Sequence, residues 1–144
     1  MIEHISASQR EVMLKEVFRV LKPGGIFRVA TPDIRFLIDL YLDPDKDIHA
    51  RYIDWSCRTF IKNHHSNQPS FVLNNFFRAW GHTFIYDEAT LRMVLEESGF
   101  RNIERVALGK SRHADLAGLE YAERLPEGFL KAESLILEAE KPGR

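Results

Sequence analysis

Apolar positions near the start of the chain repeat at helical spacing and then close up into a continuous run. Leu14, Val17, Phe18 and Leu21 fall at i, i+3, i+4 and i+7, one face of an amphipathic helix. Ahead of them, Ser6-Ala7-Ser8-Gln9 and Ser8-Gln9-Arg10-Glu11 both fit a capping box, in which a hydroxyl and a longer polar side chain satisfy free N–H groups. Lys22 suits the negative end of that helix, and Pro23-Gly24-Gly25 stops it. Ile26 to Ala30 then predicts a buried strand. Thr31-Pro32-Asp33 opens a second helix with Ile34, Leu37, Ile38, Tyr41 and Leu42 on one side, and Asp43-Pro44-Asp45 breaks it.

Residues 46–80 are aromatic-rich and carry no strand pattern. Ile48, Tyr52, Trp55 and Phe60 suggest a helix, His64 to Pro69 a loop, and Val72, Leu73, Phe76, Phe77 and Trp80 a further helical stripe. After a turn at Gly81-His82, Asp87 caps a helix through Leu91, Val94 and Leu95 that stops at Ser98-Gly99. Ile103 to Leu108 and Ser134 to Ala139 predict strands, with a largely irregular stretch at 109–130. No repeat or interdomain linker interrupts the 144 residues, so the pattern predicts one domain with a helical insert at about 34–80.

Composition narrows the function classes. A net charge of −1 offers no footprint for nucleic acid or an anionic membrane surface. The longest apolar run, Phe36 to Leu42, is interrupted by Asp39 and falls far short of the roughly 20 residues that span a bilayer. Met1-Ile2-Glu3-His4 lacks the basic and then apolar layout of a signal peptide. Cys57 is the lone cysteine, which excludes an internal disulfide. The expectation is a cytoplasmic protein with neither nucleic acid nor membrane as partner.

Three segments, Glu3-His4-Ile5, Phe18-Arg19-Val20-Leu21-Lys22-Pro23-Gly24-Gly25 and Thr31-Pro32-Asp33, together resemble the second half of a class I S-adenosylmethionine-dependent methyltransferase. Ser111-Arg112-His113, Leu116, Leu119-Glu120 and the stretch Leu135 to Pro142 look like a poorly characterised, methyltransferase type 11-like branch. The resemblance implies an α/β fold: part of a Rossmann-like sheet in which Ile26–Ala30, Ile103–Leu108 and Ser134–Ala139 stand for strands five, six and seven. Their spatial order would be 5-7-6, the last strand antiparallel between the other two. It also implies methyl transfer from S-adenosylmethionine to a small-molecule or glycan-type acceptor.

That family grips its donor with a glycine-rich turn after the first strand, where backbone N–H groups approach the ligand closely. The eight glycines here include no Gly-x-Gly. The expectation is therefore that this chain alone binds the donor poorly and is inactive. A bare strand edge at Ile26–Ala30 tends to recruit another strand. It would be met by a homodimer, by a partner supplying the missing half-sheet, or by a longer gene product. The alternative function is a non-catalytic dimeric binding module.

Ligands in open α/β sheets sit at the carboxyl ends of strands, which makes Glu3, His4, Thr31 and Asp33 the candidates, with His82 and Trp80 facing the same cleft from the insert. By position in the resemblance, Glu3 and His4 would edge the donor site, and Thr31 and Trp80 would touch the acceptor. Glu3, His4, Asp33 and His82 are the candidate catalytic groups, with the base unassigned. Each has a plainer reading: Glu3 and His4 as solvated terminal residues, Asp33 as a helix cap, His82 as a turn residue. Phe71, Phe76, Phe77 and Trp80 read as an apolar lid or, more commonly, as a core stripe. His64-His65 with His49, Cys57 or His82 lacks metal-ligand spacing, so no metal is expected. Cys57 has no thiolate-stabilising partner in sequence.

Overall fold

The computed structural model describes residues 1–62 and 66–143. In chain order its helices are α1 (Ala7–Val20), α2 (Ile34–Leu42), α3 (Asp47–Phe60), α4 (Pro69–Arg78), α5 (Glu88–Glu97) and α6 (Phe129–Glu133). Its strands are β1 (Ile26–Pro32), β2 (Arg101–Arg105) and β3 (Ser134–Glu140). The protein is a mixed α/β structure with one three-stranded antiparallel sheet.

Of the two capping boxes, Ser6 forms the one used. Its hydroxyl accepts from the Gln9 N–H, and the Gln9 side chain accepts from the Ser6 N–H. The far end of α1 is served by Lys141 rather than by Lys22. Lys141 Nζ donates to the carbonyls of Phe18 at 2.6 Å and Leu21 at 2.7 Å and lies over the Phe18 ring. The turn that follows needs Gly24 at φ +77°, a left-handed conformation that glycine adopts without a Cβ penalty.

The strands lie in the order β1-β3-β2, with β3 antiparallel to both neighbours. Pairings such as Val29 with Leu137 and Phe27 with Ala139 set a continuous apolar face. That face buries Leu14 of α1, Leu91, Val94 and Leu95 of α5, and Phe100. The central strand is buried from Leu135 to Ala139, as a strand with neighbours on both edges and cover on both faces should be. Among the described residues no strand pairs with the outer edge of β1 beyond an isolated bridge between Asp33 and Tyr86. The predicted strand at 103–108 lies earlier in the chain. Asn102, at φ +49°, accompanies an irregular register, and past Val106 the chain turns at Gly109 away from the ladder.

The opposite face of the sheet carries charge. Arg28, whose side chain is 4% exposed, reaches both Glu120 oxygens at 2.8 and 3.0 Å and also pairs with Glu138 across the β1–β3 ladder. Glu120 in turn accepts from the Gly109 N–H, and the Lys110 carbonyl accepts from Arg28. These bonds lay the 109–121 loop across the sheet. The Arg28 charge, after its hydrogen bond, holds the Glu120 carboxyl below its ordinary range.

A second core sits in the helical insert, where Phe36, Leu37 and Leu40 of α2 meet Tyr52, Ile53 and Cys57 of α3, Val72 and Phe76 of α4, and Phe129. The buried face of α2 is rotated from the predicted one. Ile38, Tyr41 and Leu42 are exposed, because α4 and α6 pack against the Phe36–Leu40 side. No helix among the described residues is long and apolar enough to cross a membrane.

Removing Arg28 by Arg28→Met strands the buried Glu138 carboxylate and the half-buried Glu120 and should cost about 3–5 kcal/mol, read by urea unfolding. A loss below about 1 kcal/mol would refute the clamp. Gly99→Ala should also destabilise, by roughly 1–3 kcal/mol. Gly99 stands at φ +99°, and a Cβ there would lie 3.0 Å from the Phe18 ring.

Candidate functional site

Where β1 ends and β3 begins, the sheet, the insert and the 109–130 loop leave a cavity of about 570 Å³. Its floor is Ala30, Thr31 and Pro32 with Ser134, one wall is Leu119 to Tyr121, and Trp55, Phe60, Phe76 and Trp80 form an aromatic side. Phe60 and Phe76 meet the Trp80 ring edge-on, at 5.0 and 5.5 Å between centroids. Trp80 adopts φ +56°, followed by Gly81 at +74°. A bulky residue in that region is a backbone outlier, of the sort that concentrates at functional sites. Phe71 and Phe77, also predicted for this lid, do not line the cavity.

Five of the six candidate residues converge here: Glu3, His4, Thr31, Trp80 and His82. Residues Ile2–His4 form one turn of 3-10 helix that tucks Ile2 into the sheet core and turns Glu3 inward. Glu3 is buried and fully engaged. One oxygen accepts from the Met1 ammonium at 2.8 Å and from Thr31 Oγ1 at 3.2 Å; the other lies 3.2 Å from His4 Nε2. Burial pushes the Glu3 carboxyl up, but the ammonium hydrogen bond, its own backbone N–H and the nearby positive charges together bring it below the ordinary range. His82 Nδ1 lies 2.7 Å from the Phe76 carbonyl and donates to it, which leaves Nε2 as the ring nitrogen free of that bond. The His4 and His82 rings lie 4.8 Å apart between centroids, tilted by 45° to one another.

Asp33 is placed otherwise. It caps α2 through the Arg35 N–H at 2.9 Å, and its second oxygen takes a 2.9 Å bond from Arg105. It is buried under these contacts and does not line the cavity. The capping reading therefore describes its contacts. His49 is likewise structural, with Nδ1 2.7 Å from the Asp43 carbonyl and the ring against Phe36. Cys57 is buried, and burial pushes its thiol up, away from the reactive thiolate. His64 and His65 lie outside the described residues.

Sequence spacing missed a second polar group in the cavity. The Tyr52 hydroxyl donates a short hydrogen bond to Glu133 Oε2 across 81 positions of sequence. Burial raises the Glu133 carboxyl above the ordinary range, opposed by the Tyr52 bond and the charge of Arg124. The Tyr52 hydroxyl is raised far above its usual value by burial and then by the Glu133 charge. Perturbed titrating groups in a cleft are candidates for acid–base chemistry, and buried structural pairs are perturbed in the same way. Glu133 closes the last turn of α6 directly before β3, so the helix-to-strand junction aims it. No short-range motif marks either residue.

No protein-family model matches this chain, and no curated protein does. Among solved structures it is similar to a possible exported protein from Bordetella parapertussis, with 17% sequence identity and a TM-score of 0.48. The match covers 99% of this chain and 36% of that one, so this chain spans about a third of the other's length.

The Glu133 assignment has a pH signature. Its folded-state value lies above the unfolded one, near 4.5, so the folded protein holds the proton more tightly. Its contribution is complete below that unfolded value and is lost as pH rises through the folded value. Glu133→Gln keeps an acceptor for Tyr52 and removes the loss. The variant's melting temperature should gain on the native protein's between about pH 4 and pH 8. A difference that does not change with pH would count against the raised carboxyl.

Proposed function

We propose that this chain is the acceptor-binding half of an S-adenosylmethionine-dependent methyltransferase. The observation that carries the reading is the convergence of Glu3, His4, Thr31, Trp80 and His82 on one cavity at the carboxyl end of β1. That is where open α/β sheets take their ligands. The strand order β1-β3-β2, with the last strand antiparallel in the middle, is the order the methyltransferase resemblance implies, and it supports the same reading.

The donor's own grip is not built from these residues. The β1–α2 junction at the cavity has no glycine, and the Asp33 carboxylate already occupies the N-terminus of α2. The chain's residues therefore account for the acceptor side alone. Trp80, Phe76 and Trp55 give a sugar or other flat-faced acceptor an apolar wall to lie against. Thr31 and the two histidines offer hydrogen bonds that orient it. Glu133, which lines the cavity with its carboxyl raised above the ordinary range and tied to Tyr52, is the group positioned to receive the acceptor's proton.

A second reading is favoured by one observation: among the described residues no strand pairs with the outer edge of β1. An open edge pairs readily with another strand. Two copies joined there about a two-fold axis would make a non-catalytic binding module. Sedimentation velocity separates a dimer from a monomer.

The isolated chain should bind no S-adenosylmethionine by calorimetry. Joined in cis or in trans to a glycine-rich half-domain, it should support methyl transfer, and Glu133→Gln should lower kcat by about 100-fold with KM little changed. Micromolar donor binding by the chain alone would overturn the half-domain reading.

A further inference from the structure

Glu3, His4 and His82 each present one donor atom, and the three atoms lie within 4.8 Å of one another. We propose that they form a binding site for a divalent transition-metal ion, Zn²⁺ by preference, with its remaining coordination position open to the cavity.

Five features of the site argue for an ion here. The donor set is two imidazoles and one carboxylate, a combination that binds Zn²⁺ at about 2.0–2.2 Å and leaves room for an exogenous ligand. Two such donors on one tetrahedral ion sit roughly 3.3 Å apart, and Glu3 Oε1 to His4 Nε2 is 3.2 Å. The His82 donor lies within 4.8 Å of the other two, and binding an ion would draw it closer.

The supporting bonds are those a metal site uses. Metal-bound histidines characteristically give their other ring N–H to a backbone carbonyl, which fixes the tautomer. His82 Nδ1 has that bond, to Phe76, and it leaves Nε2 for the ion. Ligating carboxylates are themselves hydrogen-bonded, and Glu3 takes one from Thr31 Oγ1.

The ligands are also held in place from outside the cluster. The Glu3 carbonyl accepts from the Thr83 and Phe84 N–H groups at 2.7 and 3.2 Å, which fixes the segment beside His82 against the segment bearing Glu3 and His4. Two stretches some 80 positions apart are thus fastened together where the three side chains meet. Finally, all three residues line the cavity, so an open coordination position faces a chamber large enough for an oxygen ligand.

Among divalent ions this nitrogen-rich set excludes Mg²⁺ and Ca²⁺, which take oxygen ligands. It serves Zn²⁺ or Fe²⁺, of which Zn²⁺ binds the more tightly. Metal binding of this kind requires only three side chains, and it stands whether or not the cavity hosts methyl transfer.

The test is calorimetry with Zn²⁺ alone on the chelator-treated, tag-free full chain. One ion should bind per chain, with a Kd at or below about 10 μM. His4→Ala, His82→Ala and Glu3→Gln should each weaken it by at least about 10-fold. His4 is exposed, so its variant reports on binding without endangering the fold; thermal melting of all three establishes that they are folded. A His64→Ala/His65→Ala double variant, like Cys57→Ser, should keep the native affinity. Absence of binding by the folded native chain, or binding that survives His4→Ala and disappears in the double variant, overturns the site.

Discussion

The buried guanidinium of Arg28 is the interaction on which the rest of this structure depends. A charge held at 4% side-chain exposure costs several kcal/mol in desolvation unless its partners are complete. Here they are: a two-pronged bond to Glu120, a pair with Glu138 on the neighbouring strand, and the Lys110 carbonyl. One bond locks the register of β1 on β3, because a slip of one residue would carry Arg28 into the apolar face. The others bring down the loop whose Leu119–Tyr121 segment walls the cavity. Sheet register and cavity shape are thereby set by one side chain.

The two faces of the sheet divide the labour. Helices α1 and α5 cover Phe27, Val29, Leu135 and Leu137 with hydrocarbon, and that side holds one of the domain's two apolar cores. The charged side supplies specificity of arrangement. Beyond the end of β1 the insert builds its own core around Tyr52, and Glu133 joins it from the helix that leads into the central strand. The cavity lies where these three bodies of structure meet, and its polar groups are tied down by bonds among its own lining residues: Glu3 to Thr31, Glu133 to Tyr52 and His82 to the Phe76 carbonyl.

Local chemistry was legible in the sequence; long-range pairing was not. The Ser6 box, the Gly24 turn, the Asp87 cap and the runs at Ile26 and Ser134 declare themselves within a few residues, and the structure has an element at each. Glu3, His4, Thr31, Trp80 and His82 were reachable because strand ends and turns gather ligands, a rule of position rather than of partner. Asp33 obeyed the same rule and was claimed by the Arg35 N–H and Arg105 instead. The face of α2 was judged only in part: of the predicted stripe Leu37 is buried and Ile34 packs against the core, but Ile38, Tyr41 and Leu42 are exposed, because the packed helices cover Phe36 and Leu40 instead. The Arg28–Glu120 and Tyr52–Glu133 pairs span 92 and 81 positions. No spacing rule reaches that far.

The strap from Phe76 to Phe84 has a mechanical consequence. At one end the Phe76 carbonyl holds His82; at the other, Thr83 and Phe84 are clipped to the Glu3 backbone. Between them Trp80, in its left-handed kink, roofs the chamber. A guest bulky enough to lift that roof would tug His82 away from Glu3 and His4, and a slimmer one would let the trio draw together. The chamber's polar end would then act as a gauge of what fills its aromatic end.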